Sequence, residues 1–285
     1  MNRREFLKFG LGASAFVAGC KCPFCGCGRK PIALQLWSIN QVMWKEDPAK
    51  TFADIKAIGY DGVEFAGFNG KSAKELKKLL DDAGLRGMGA HISGDKEYTG
   101  DGLKKNLDFL AEAGIESMTS AWADYNTADG WVKFGELMGK AADVATAWNI
   151  PISVHNHCHE FKKVYNGVYA WDLIFKDSSP RLQQQLDTSQ VVNPGLDVVE
   201  RLKKYPGRSF SIHMKENVPM KDGLPNDNGY FGVPPPDGGK LVDFKGTVDY
   251  LADEPGFSWY VVECERKPAS LDAARFNYGF LKQLV

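Results

Sequence analysis

Three of the five histidines in this chain fall inside one six-residue stretch, His155-Asn156-His157-Cys158-His159-Glu160. The stretch closes a short apolar run, Ile150-Pro151-Ile152-Ser153-Val154, that reads as a β-strand. Three later runs also end on chemically able residues: Leu186-Asp187, Ile212-His213-Met214-Lys215 and Val261-Val262-Glu263. Imidazole and carboxylate together are the donor set for a divalent cation. Such an ion takes about four to six ligands, and a catalytic site keeps positions open for substrate. Asp187, His213 and Glu263 supply three. The fourth stays open between His157 and Glu160, with His157 the first choice. Singly, each residue has a plainer reading: Asp187-Thr188-Ser189 makes a good turn or cap, and His213 a good core histidine. Their recurrence at four strand ends is what points to a metal centre.

Other residues would complete an active site around such an ion. Lys215 lies two positions beyond His213, hence on the same strand face, where an ammonium stabilises negative charge on substrate oxygen. Glu160, if not a ligand, is a carboxylate able to take a proton from carbon. Glu64 and His91 end earlier strands and are acid/base or hydroxyl-binding candidates. Trp37 and Trp122, with Phe161, offer apolar faces for a sugar ring, and His155 is grouped with Trp37 and Trp122 as a substrate contact.

Only a parallel β/α arrangement brings many strand C-terminal ends to one face. The chain carries that rhythm. Strands are expected at Ile32–Trp37, Val63–Phe65, Arg86–His91, Ile115–Ala121, Ile150–Val154, Leu182–Asp187, Ser209–Lys215 and Trp259–Cys264. Helices alternate with them, among them Pro48 to Ile58, Ser72 (cap, with Glu75 in capping-box position) to Ala83, Ala128 to Trp148, one starting at Pro194, and Ser270 to Leu284. Eight units of near 30 residues predict a closed (β/α)8 TIM barrel, of class α/β, as a single domain over 31–285. A Gly/Pro/Asp-rich loop of about Asn217 to Lys240 is long enough to wall a site.

Composition narrows the function. With 35 basic and 36 acidic residues the net charge is -1, which provides no field for nucleic acid. That balance, and five histidines only, also exclude a three-metal endonuclease working on DNA. The chain has no phosphate-binding glycine loop and so implies no nucleotide cofactor. Residues 1–30 form a separate unit. Arg3-Arg4 followed by Phe6-Leu7-Lys8 and an apolar segment reads as a twin-arginine export signal. Val17-Ala18-Gly19-Cys20 is similar to a lipobox, which predicts membrane attachment through a lipidated Cys20 and a periplasmic or surface location. Cys22, Cys25 and Cys27 then read as part of a Cys-rich tether, or as a small metal knot.

The body of the chain resembles the xylose-isomerase-like barrel superfamily of sugar isomerases and epimerases. The resemblance is carried by Gly59-Tyr60-Asp61-Gly62-Val63-Glu64, His155-Asn156-His157 with Glu160-Phe161, Leu186-Asp187-Thr188, Tyr205-Pro206-Gly207-Arg208, His213-Met214-Lys215-Glu216 and Val261-Val262-Glu263. It implies a manganese, magnesium, zinc or cobalt ion held by Asp187, His213 and Glu263, with a departure on strand five, where His-Asn-His replaces a ligand Glu. It further implies isomerisation or epimerisation of a keto or aldo sugar through an enediolate. A 3-keto-glycoside lyase or dehydratase would use the same site, and a silent sugar-binding lipoprotein would have lost it. An exported enzyme would meet free or glycosidic sugars rather than sugar phosphates.

Overall fold

The structure is a computed structural model and describes residues 29–39, 42–217, 220–221, 224–225, 230–234, 238–265 and 270–285. The export signal, Cys20 and the Cys22, Cys25 and Cys27 tether lie outside the described residues.

Eight parallel strands form the centre: β1 Ile32–Gln35, β2 Gly62–Phe65, β3 Arg86–His91, β4 Met118–Ser120, β5 Ile152–His155, β6 Gln183–Gln185, β7 Ser211–Met214 and β8 Trp259–Val262. Each pairs in parallel with its neighbour in sequence, and β8 returns to β1 with Leu34 opposite Val262. Between β6 and β7 the ring closes through a parallel bridge of Asp187 to His213, where the His213 amide donates to the Leu186 carbonyl at 2.8 Å. The closed (β/α)8 barrel expected from the alternation is the observed fold.

Local chemistry explains the helices that follow each strand. The helix at Ala73–Ala83 begins on a capping box: Ser72 Oγ accepts from the Glu75 amide at 3.3 Å while Glu75 accepts from the Ser72 amide at 2.8 Å. Gly84 ends it at φ 67, which an L side chain adopts at a cost. Pro194 starts no helix, against expectation. Gly195, at φ 89, turns the chain there, and Asp197 caps a shorter helix, Val198–Lys203, by accepting from the Glu200 amide. Strand four is also shorter than expected. Ile115 makes an isolated parallel bridge to Gly87, and the continuous ladder begins at Met118. An Asn166-Gly167 hairpin, Val164–Tyr165 against Val168–Tyr169, was not anticipated despite its turn residues.

Strand alternation sorts the side chains. Ile32, Leu34, Val63, Phe65, Ile212, Met214, Tyr260 and Val262 join the large apolar layer beneath the helices. Inside, Ala33, Met88, Trp259 and Val261 plug the lower barrel. Trp259 is large enough that position 62 must be glycine; a Cβ there would sit 2.6 Å from the Arg86 carbonyl and 3.0 Å from the indole. Above this plug the inward positions turn polar, with Gln35, Glu64, Gln185 and His213 all buried. The apolar floor thereby lifts the chemistry to the C-terminal face.

Candidate metal centre

His155 is the last residue of β5, His213 lies within β7, Asp187 stands two residues past β6 and Glu263 one past β8. Each offers a ligand atom, and those atoms all lie within 4.8 Å of one another. Ligands on opposite sides of an ion at ~2.1 Å are roughly 4.2 Å apart, so a slight contraction suffices to enclose one. Two observations favour a cation there. Asp187 Oδ2 is buried with no hydrogen-bond partner among the described residues, and Lys215 Nζ at 3.7 Å offsets its desolvation only in part, which a metal would relieve. Asp187 and Glu263, both buried, also share a single lysine, with Glu265 a third carboxylate beside it. The residues present fit a divalent ion.

One assignment from sequence changes. His155, expected on substrate, is the strand-five member of this cluster, whereas His157, expected as ligand, sits in the turn beyond the strand. Both point inward by the period of two, but His155 reaches the level of Asp187 and Glu263 and His157 has already passed it. His157 lines the cavity instead, and burial together with the Lys215 charge lowers its pKa to about 4.

A buried amide sets the imidazoles. Gln185 Nε2 donates to Glu64 Oε1 at 2.7 Å and Ser211 Oγ at 2.9 Å, so Gln185 Oε1 faces His91 Nε2 at 2.9 Å and His155 Nδ1 at 3.2 Å. Both rings therefore donate, and His155 keeps its Nε2 lone pair for a ligand. Burial and the neighbouring His213 and His91 hold its pKa well below the usual histidine range. Glu64, fully buried, also receives Gln35 Nε2 and His213 Nε2, each at 2.6 Å. Burial would raise its pKa, but His91 and His213 overcome this and hold it well below the carboxylate norm. The expected acid/base role thus gives way to a supporting one, because Glu64 lies under the histidines with both oxygens engaged. Glu263 Oε2 meets His213 Nδ1 at 2.7 Å. Burial opposes a charge on His213, yet Glu64 and Glu263 raise its pKa to about 10.

Lys215 sits where its strand register placed it, with Nζ 3.1 Å from Glu263, 3.4 Å from Glu265 and 3.7 Å from Asp187. Burial would lower its pKa; these carboxylates raise it instead. Glu160 departs from expectation. Its side chain turns away from the Asp187 cluster and receives the His157 amide at 2.8 Å, with His159 at 3.3 Å. It is buried, and burial pushes its carboxyl well above the usual range. A carboxylate used to fasten its own turn does not reach the cavity as a proton shuttle. Phe161, offered as a sugar wall, is core beside Trp171 and Tyr169.

Above the cluster opens a cavity of about 440 Å³ lined by Gln35, Trp37, His91, Trp122, His155, His157, Glu263 and Glu265, among others. Trp37 and Trp122 line it although half exposed, at 51% and 53%. The sequence reading missed Gln35, Gln185 and Glu265. The last two stand two residues from Asp187 and Glu263, and strand period alone would have put them on the same face.

Comparison with known proteins agrees with this fold. The model of the xylose isomerase-like TIM barrel family matches residues 52–284. An inosose dehydratase of Geobacillus thermodenitrificans is 24% identical over 250 residues, covering 76% of this chain and 82% of that protein. A sugar phosphate isomerase/epimerase of Parabacteroides distasonis superposes with a TM-score of 0.73 at 21% identity, covering 90% of this chain and 97% of that one. The IolI protein with a bound zinc atom superposes at 0.63 with 14% identity, over 89% of this chain and 96% of its own. The chain belongs to the xylose isomerase-like TIM barrel family.

Proposed function

We propose that this chain is a divalent-metal-dependent enzyme that moves a proton at a carbon beside a carbonyl in a sugar or polyol, giving isomerisation or epimerisation, with dehydration as the second outcome. The observation that carries it is the convergence of His155, Asp187, His213 and Glu263, with Asp187 Oδ2 buried and without a hydrogen bond among the described residues. The dehydratase among its relatives keeps the second outcome in view, and the zinc in a fold neighbour supports the donor set.

In this reading the four clustered residues would hold the ion, which supplies a Lewis acid for neighbouring substrate oxygens. Lys215 holds Glu263 and Asp187 in place and adds positive charge where oxygen becomes anionic. The cavity-facing groups outside the ligand set, His91, His157 and Glu265, are those placed to carry protons. Trp37 and Trp122 give the ring apolar walls.

Metal analysis of the stripped and reloaded protein beside Asp187→Ala/His213→Ala tests the centre. Incubation with keto sugars and inososes in deuterium oxide tests the chemistry. Carbon-bound deuterium with a new epimer supports the first outcome, and loss of water supports the second. A protein that binds sugar and exchanges no proton is the silent binder.

The N-terminal sequence adds a location to this proposal: export by the twin-arginine route, a lipid on Cys20, and a barrel over 31–285 that meets free or glycosidic sugars. Palmitate labelling lost in Cys20→Ser is the expected result.

A further inference from the structure

Beside the first cluster lies a second group of donors, two of which, His159 and Glu160, the proposed reaction does not use. His157, His159 and Glu160 each offer a ligand atom within 4.8 Å of the others. His159 Nε2 donates its proton to the Ala123 carbonyl at 2.9 Å in the metal-free protein and lies 3.3 Å from Glu160 Oε1. Adjacent ligands of one ion at ~2.1 Å are roughly 3.0 Å apart in an octahedron and about 3.4 Å in a tetrahedron. Both measured separations fall at those values.

We propose that His157, His159, Glu160 and the Ala123 carbonyl form a second divalent-cation site in the wall of the cavity. Glu160 is 1% exposed, and a carboxylate so placed is retained where a cation answers it. The Lys163 ammonium is paired with Asp124. His157 Nδ1 is buried without a hydrogen-bond partner. Trp122 packs on both imidazoles at 4.8 Å, and Trp131 lies 6.2 Å from His159. The His155 and His157 rings are 5.2 Å apart, so the two ions would be close neighbours, and His157 would present the second to the substrate space. The imidazole, carboxylate and carbonyl set suits manganese or zinc.

The test is a titration of the chelator-stripped full chain with manganese(II) chloride, following the free aqua ion by electron paramagnetic resonance. Manganese is chosen because it prefers oxygen and nitrogen to the N-terminal thiols. Wild type is expected to take up two equivalents. Glu160→Gln and His159→Asn, tested separately so that one unfolded variant does not decide the matter, are each expected to lose one or to weaken it at least tenfold. Asp187→Asn should lose the other. A wild type that binds one ion overturns the second site. So does loss of an ion in Asp187→Asn with none lost in the Glu160 and His159 variants, and that result leaves the first centre standing.

Discussion

Gln185 Nε2 lies 2.7 Å from Glu64 Oε1, and this contact decides which way the amide faces inside the barrel. A carboxylate accepts only, so the nitrogen must point to it and the oxygen must take the protons of His91 and His155. Gln185 thus fixes the tautomer of a cluster histidine without touching the cluster centre. Replacing it with leucine keeps the volume but frees the His155 ring and strands Ser211 and Glu64. Supporting bonds of this kind are worth roughly 10- to 100-fold in metal affinity. Gln185→Leu should lose that much by isothermal titration. An unchanged affinity would mean the imidazole is oriented by packing alone.

Asp187 separates stability from binding. Its Oδ1 caps the turn at Ser189 and Gln190, a task asparagine keeps, while Oδ2 is buried, accepts no hydrogen bond among the described residues and lies 3.7 Å from Lys215 Nζ. Burial raises its pKa, with Lys215 offsetting only in part. Asp187→Asn should therefore leave the metal-free protein within about 1 kcal/mol of wild type. The extra stability that metal gives, about 2.7 kcal/mol at a concentration one hundred times Kd, should vanish. Melting curves with and without metal read both. A large drop in the metal-free variant would make Asp187 a structural residue first.

These two residues also show how far the chain could be read unaided. Asp187, His213, Lys215 and Glu263 were legible because each ends an apolar run, and strand period puts them on the inward face. The closed barrel was legible from eight alternations. His155 and His157 share one period and one residue type, so choosing between them needed the height of the neighbouring strands, which only the assembled barrel supplies. Glu160 was misplaced for a related reason. After the strand the chain enters a one-turn helix, His159–Lys162, and the period of two no longer applies. Glu64 looked reactive because a strand-end carboxylate does, yet its oxygens are taken by Gln35, Gln185 and His213 from three other strands.

The pairing of His213 with Glu64 and Glu263 predicts a pH response in the metal-free protein. Its pKa rises from 6.5 to about 10 on folding. A raised pKa stabilises the fold fully below pH 6.5 and loses that contribution as pH climbs through 10. Stability of the stripped protein should fall across this window, at most by roughly 1.4 kcal/mol per pH unit. Metal competes with the same proton, so apparent metal affinity should rise over the same range. Denaturation series at pH 6.5, 8 and 9.5 test the first half. His213→Gln should flatten the profile.

Trp37 and Trp122 are separable in what they hold. Each leaves half its surface in water while lining the cavity, an apolar exposure that a substrate ring would cover. Covering one indole face removes about 80 Å² from water, worth ~2 kcal/mol or roughly 30-fold in binding. Among the described residues Trp37 bonds through its backbone amide to Gln35, so Trp37→Ala should raise KM by about that factor with little change in kcat. Trp122 also packs on His157 and His159. Its removal unsupports a cavity-facing imidazole, so Trp122→Ala should lower kcat as well. The two variants together locate the substrate: a KM unmoved in both would place the ring away from this wall, and a kcat unmoved in Trp122→Ala would take His157 out of the reaction.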